Sequence, residues 1–338
     1  MVGEKPSKIR IWFTELRVPF LTASIIPILL GTAVAWATTG TIFWDVFALT
    51  LTAGVCVHAG ANVANDYFDH KSGTDDINIE FVRPFSGGSR MIQLGLLSPR
   101  EVLTGSLVLF IIGGLLGMYL AFYRGFFVLI LGIIGVFSGF FYTAPPFRFA
   151  SRGVGELFVG INFGVLMTLG AFYVQTQVLT WQPVMASLPV AILITAILYI
   201  NEFPDFTADF ESGKRTLVVR LGRRKAAKVF AIMMIAVHLT IILSIVLEFM
   251  TPYQLMGLVT LPLSYLGIRQ ALMSYDNPIE LIPAYASTVL NHLLTGLSLV
   301  VAYILQGFAV AYPFAILSAI VLAAIVLIQT LKIWKQIP

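Results

Sequence analysis

The sequence predicts an all-α polytopic membrane protein built from ten apolar helices. Three observations carry that reading. The 338 residues are 58% hydrophobic and only 11% charged, too apolar for a chain folded against water. The apolar residues fall in ten runs of about 20, the length a helix needs to cross ~30 Å of hydrocarbon. The basic residues sit almost wholly on alternate connections between those runs.

In chain order the runs are roughly 18–38, 44–66, 101–123, 125–143, 154–175, 183–203, 226–248, 253–273, 284–306 and 312–332. The segment 1–17 carries Lys5, Lys8, Arg10 and Arg17. It lacks the small-residue cleavage site of a signal peptide, so the first run is expected to stay as an anchor. The second run leads into loop 67–100, with Lys71, Arg83, Arg90 and Arg100. Gly87-Gly88 breaks this loop, which is expected to hold one short surface helix. Ser98-Pro99-Arg100-Glu101 then starts the third run with a Ser cap, Pro in the first turn and Glu at the third position. Arg148 and Arg152 follow the fourth run. A basic cluster from Lys214 to Lys228 separates the sixth run from the seventh. Arg269 follows the eighth run, and Asn277-Pro278-Ile279-Glu280 repeats the cap chemistry before the ninth. Lys332 and Lys335 close the tenth.

With the N-terminus in the cytoplasm, every one of the 21 Lys and Arg except Arg124 lies inside. One helix more or fewer would scramble that asymmetry. The net charge of +4 therefore reflects topology, and no aromatic-basic platform for nucleic acid is present. The single cysteine, Cys56, excludes an intrachain disulfide and a cysteine metal site. Nothing in the chain implies an obligate protein partner.

Chemistry concentrates at two acidic segments, each ending an apolar run. The first is Asn65-Asp66-Tyr67-Phe68-Asp69, with Asp75 six residues further on. The second is Asn201-Glu202-Phe203-Pro204-Asp205, with Asp209 four residues further on. His58, Asn62, Asn65 and Asp69 recur at helical spacing and share one face, as do Asn201, Asp205 and Asp209. Pro204 is expected to loosen the second helix. Carboxylates beside a bilayer are costly and usually functional. Two such stripes with the same orientation suggest a weak parallel repeat, helices one to four and five to eight. They suit a hard divalent cation, with magnesium favoured because it takes carboxylates, waters and phosphate oxygens. Arg17, Lys71, Arg83, Arg148, Lys214 and Arg215 are the candidate cations for a metal-bound diphosphate. Arg223, Arg224, Lys225 and Lys228 read as a topogenic cluster. His238 and His292 lack ligand-spaced neighbours and read as helix packing, and Glu156 as a favourable charge at a helix N-terminus.

These two segments, the run Gly213-Lys214-Arg215-Thr216-Leu217, and Tyr142-Thr143-Ala144-Pro145-Pro146 resemble the UbiA superfamily of intramembrane aromatic prenyltransferases. The resemblance runs from about Arg17 to about Gln306. Within the superfamily it is most similar to the MenA branch, which prenylates 1,4-dihydroxy-2-naphthoate for menaquinone. The place of Asp75, the run through Gly222, and Arg152-Gly153-Val154-Gly155-Glu156 carry that finer likeness.

The resemblance implies a ring of nine helices around a central cavity, capped by two cytoplasmic loops. It implies two magnesium ions, with manganese as a substitute, between Asp66, Asp69, Asp75, Asp205 and Asp209. It implies a prenyl diphosphate substrate whose tail lies among the helices, and an aromatic acceptor near Tyr142, Asn62, His58 and Asn201. Asn65, Asp66, Asp69, Asp205 and Asp209 are the expected catalytic set. A cell-membrane location with the site facing the cytoplasm follows from the basic loops. Residues 1–17 then form an N-terminal segment, 18–306 the prenyltransferase domain, and 307–338 an additional helix and tail.

Other acceptors, namely hydroxybenzoate, homogentisate, a tetrapyrrole side chain or a glyceryl phosphate, stay open. A ten-helix transporter is the competing class. The acids lie at one membrane face beside basic loops, which favours diphosphate capture over alternating access.

Overall fold

The computed structural model describes residues 6–335; Lys5 lies outside them. A short amphipathic helix, α1 (Lys8–Glu15), opens the described chain. Ser7 caps it by accepting the Arg10 N–H, and it buries Ile11 and Glu15. The apolar helices follow: α2 (Val18–Thr39), α3 (Trp44–Ser72), α4 (Pro99–Arg124) and α5 (Phe127–Phe140). Then come α6 (Gly155–Thr176), α7 (Trp181–Glu211), α8 (Arg223–Val246), α9 (Pro252–Ser274), α10 (Ile282–Gly307) and α11 (Tyr312–Trp334).

Each helix from α2 to α9 packs against the next, and α10 closes on α2, so nine helices form a ring. The tenth apolar helix, α11, lies outside it against α9 and α10. This is the expected multi-pass membrane architecture. Among the described residues nine helices are long and apolar enough to span. The run at 125–143 forms a helix of only 14 residues. That is about 21 Å, too short to cross alone.

Two helices outrun their apolar stretches. The run at 44–66 continues as helix to Ser72, where Gly73 ends it with a left-handed φ of 79°. The run at 183–203 continues to Glu211, straight through Pro204. Hydropathy ends where the side chains turn polar, but the backbone ladder does not. Pro204 therefore does not break the helix, because packing on both sides of α7 holds it. Both acidic segments are consequently helical throughout. The cap chemistry at Asn277 makes a turn instead of a helix start. Its Oδ1 accepts the Ile279 N–H at 3.1 Å, and α10 opens only at Ile282. The Ser98 capping box forms as the sequence predicts. Loop 67–100 holds one short helical turn, Thr74–Ile77.

The two halves of the ring pack differently. Phe230, Met234, Tyr199, Phe203 and Tyr285 fill the interior between α7, α8 and α10 and are fully buried. No hydrophobic drive operates between helices in lipid, so this contact area acts through dispersion and close packing. Helices α3 to α6, with one face each of α2 and α7, instead surround a cavity. Gly160–Leu166, in the middle of α6, is π-helical. A side chain at Gly164 would place its Cβ 2.3 Å from that of Ala191, so only glycine lets α6 lie this close to α7. The widened turn carries Asn162 and Phe163 into the cavity wall.

Candidate active site

A cavity of about 1300 Å³ fills the space inside α2 to α7. On α3 its lining runs Thr50, Ala53, Val57, His58, Ala61, Asn62, Asn65 and Asp69. On α7 it runs Ile194, Ile197, Leu198, Asn201, Glu202, Asp205 and Asp209. Both stripes pass from apolar to acidic along one helix face. The cavity therefore has an apolar body and an acidic mouth.

Lys214, on the connection after α7, stands between the two stripes. Its Nζ lies 3.7 Å from Asp69 Oδ2 and 3.5 Å from Asp209 Oδ1. Burial disfavours its charge, but Asp209 and Asp69 outweigh that and hold the ammonium well above the ordinary lysine value. Asn65 donates to Asp69 Oδ2 at 3.1 Å, and Asn78 donates to Asp205 Oδ1 at 2.7 Å.

Loop residues 83–89 close the mouth. Arg17 pairs with Asp66 and also reaches Asn65 Oδ1 at 3.2 Å. The Ser89 N–H donates to the other Asp66 oxygen at 3.0 Å, and the Ser89 hydroxyl donates to Glu15 Oε2 at 2.5 Å. Gly88 is left-handed at φ 69°, and a Cβ there would sit 2.9 Å from Asp66 Oδ1. Glycine is thus required where the loop crosses this ion pair.

The structure brings most of the expected residues together. Arg17, His58, Asn62, Asn65, Asp69, Asp75, Arg83, Tyr142, Asn201, Asp205, Asp209 and Lys214 all line the cavity. His58 is held by Ser24 Oγ at 2.6 Å, and Asn62 donates to the Leu16 carbonyl at 3.4 Å. Asp66 is buried behind the wall, engaged by Arg17 and Ser89. Three expected cations stand elsewhere. Lys71 and Arg148 are exposed outside the cavity lining. Arg215 is also exposed, with its guanidinium 4.5 Å above the Phe210 ring. Adjacency to an acidic segment misled here, because successive residues at a helix end point in different directions.

Sequence reasoning missed Asn78, Ser89, Glu15 and Glu202. Only Glu202 carried a signal, since it is the single acid between Asn201 and Asp205 on a buried helix.

Among the described residues, no three His, Cys, Asp or Glu side chains form a ready-made metal cage. The donors nevertheless fit a hard cation. Asn201 Oδ1 and Asn78 Oδ1 are buried without a hydrogen-bond partner, and Asp209 Oδ1 has only the Lys214 ammonium at 3.5 Å. Burial, then Asp69 and Asp66, push the Asp75 carboxyl up to about 8. Crowded carboxylates of this kind are relieved by a divalent ion, and the oxygen-only set suits magnesium.

An apolar cavity with paired carboxylates and a lysine at its mouth has the form of a membrane enzyme's active site. The profile of the UbiA prenyltransferase family matches residues 24–285. The chain belongs to that family, and it is a prenyltransferase. It is 28% identical to the 2-carboxy-1,4-naphthoquinone phytyltransferase of Synechocystis over 88% of this chain and 94% of that one. It is 26% identical to the 1,4-dihydroxy-2-naphthoate octaprenyltransferase of Bacillus subtilis, covering 90% and 96%. Among solved structures, an apo UbiA homolog from Aeropyrum pernix superposes with a TM-score of 0.60 at 15% identity, covering 83% of this chain and 98% of that one. A UbiA homolog from Archaeoglobus fulgidus bound to DMAPP and Mg2+ gives 0.55 at 14% identity, covering 88% and 98%. These two share the fold.

Proposed function

We propose that the protein transfers a polyprenyl group from an allylic diphosphate to 1,4-dihydroxy-2-naphthoate, with loss of carbon dioxide, in menaquinone assembly. The observation that carries this reading is the pair of acidic helix faces meeting across Lys214 at the mouth of one apolar cavity. The names of the Synechocystis and Bacillus relatives support the naphthoate acceptor. The solved homolog that binds DMAPP with Mg2+ supports the diphosphate and the metal.

Asp69, Asp75, Asp205 and Asp209 would hold magnesium. The ion supplies charge neutralisation for the diphosphate leaving group. Lys214, Arg17 and Arg83 face the same space and bind the remaining phosphate charge. Loop 83–89 and the apolar body exclude water, which would otherwise capture the allylic cation. The acceptor stacks near Tyr142, between the leaving group and the polar patch of His58, Asn62 and Asn162. The basic loops orient the site toward the cytoplasm at the cell membrane.

Purified protein with magnesium and a prenyl diphosphate should convert dihydroxynaphthoate to a product lighter by one carbon dioxide than the simple adduct. Mass spectrometry across a panel of acceptors checks this. A chelator should abolish turnover, and magnesium or manganese should restore it. Full turnover in metal-free buffer, or turnover of hydroxybenzoate alone, overturns the reading.

A further inference from the structure

Two carboxyl groups beside the cavity take no part in the diphosphate site. Glu202 of α7 lines the cavity wall and is 7% exposed. Glu156, at the start of α6, is 2% exposed. The Glu156 side chain stands beside Glu202, where the start of α6 packs on α7. Glu156 Oε1 accepts the Leu217 N–H at 2.5 Å. Neither Glu156 Oε2 nor Glu202 Oε2 has a donor among the described residues. Tyr142 and Tyr199 flank the pair, and Asp209 and Lys214 face it from the mouth. Lys214 is already engaged by Asp69 and Asp209.

A carboxyl that lines a cavity and receives no hydrogen bond is a costly feature that a guest hydroxyl would relieve. The diphosphate is an anion and would be repelled. A ring hydroxyl of an aromatic acceptor matches in both donor character and position, beside Tyr142, one helical turn from Asp205 and two from Asp209.

We propose that Glu202, backed by Glu156, receives a ring hydroxyl of the acceptor and takes its proton as the ring attacks. The inference deepens the acceptor reading above and rests on it for the choice of substrate. The O–H electron pair moves into the ring. The ring carbon bonds to the allylic carbon, whose C–O bond breaks with its electrons leaving on diphosphate. Carbon dioxide then departs, its bonding pair restores the aromatic ring, and the proton returns from Glu202 to the ring oxygen. No proton is gained or lost overall. Glu156, held by the Leu217 N–H, is a positioning residue beside the Glu202 carboxyl.

The test uses the full chain in lipid nanodiscs with Glu202→Gln, Glu202→Asp and Glu156→Gln. Glu202→Gln should lower kcat/KM for the acceptor about a hundredfold. Prenyl diphosphate affinity and the half-saturating magnesium concentration should stay within about twofold, because neither touches Glu202. Glu202→Asp should recover part of the loss, and Glu156→Gln should lie between. Wild-type protein should reject an acceptor whose ring hydroxyl is methylated, a measurement that needs no variant to fold. Parallel losses for acceptor and diphosphate, a shifted magnesium requirement, or equal use of the methyl ether would overturn the proposal. If wild type ignores dihydroxynaphthoate but prenylates another hydroxyaromatic, the acceptor reading fails alone. The Glu202 comparison then runs on the acceptor that is used.

Discussion

Helices α3 and α7 carry the same chemistry in different surroundings. Each is about 30 residues long, begins at a tryptophan, and turns an apolar-to-acidic stripe toward the cavity. Over its most apolar stretch α7 is 61% buried, against 28% for α3. Helix α7 is a central wall, touching α2, α6, α8 and α10. Helix α3 stands between cavity and lipid, supported mainly by α4. Their carboxylates differ accordingly. The Asp69 side chain is 17% exposed and that of Asp209 is 2%. The first acidic segment depends on partners outside the helical wall: Arg17, the loop at Ser89, and α1 through Glu15. The second is fixed by the packed wall. A helix-packed acidic half thus faces a loop-held one.

The largest effect should come from breaking both halves. Asp69→Ala and Asp205→Ala should each lower turnover about 1000-fold, and the double variant should cost little more, since groups acting as a unit are not additive. Initial rates of the two singles and the double check this. Losses that multiply would mean that the two helices act separately.

Removing the cation that joins the halves comes next. Lys214→Gln should weaken prenyl diphosphate use roughly 100-fold, within the range for a charged group at a developing anion. Arg215→Gln, beside it in sequence but exposed, should stay within about threefold. Gln at Arg223 should act on the loop instead, because Arg223 holds Glu80 at 3.0 Å and lies over Phe206. Rates against prenyl diphosphate concentration separate the three.

The loop-held half should also respond to pH. Burial, then Asp66, raises the Glu15 carboxyl from 4.5 to about 7. A raised folded value means that the folded state binds the proton more tightly than the unfolded chain. The Glu15 contribution therefore opposes folding progressively from pH 4.5 to 7 and is fully felt above 7. The penalty is on the order of 3 kcal/mol. Thermal stability should fall across that window, and Glu15→Gln should flatten the fall. An unchanged slope in the variant would clear Glu15 of the effect.

The smallest effect should follow loss of α11. It lies outside the ring and buries only Ala315, Val326, Thr330 and Ile333. A chain ending at Gly307 should keep activity within about twofold in nanodiscs. A larger loss would make the ring depend on its outer helix.

Much of this was legible before any coordinates. The ten apolar runs, the capping box at Ser98 and the two acidic faces follow from local periodicity, which short-range backbone geometry enforces. His58, Asn62, Asn65 and Asp69 do share one face of one helix. The helix ends were less legible, since α3 and α7 continue past the point where hydropathy falls. The cations were least legible. Lys214 and Arg215 are neighbours, yet one sits between two carboxylates and the other lies in the open.

The sequence by itself determined the membrane class, the number and order of apolar helices, and which acidic residues belong together on each. Those properties depend on side chains within a few turns of one another. Tertiary structure alone decided that Lys214 bridges the stripes, that Asp66 turns away to Arg17, and that Glu156 stands beside Glu202, 46 residues away in sequence. It also decided that the cavity occupies one half of the ring. Each of these rests on contacts between distant segments, where the free energy comes from shape and charge meeting across the fold and leaves no period in the chain.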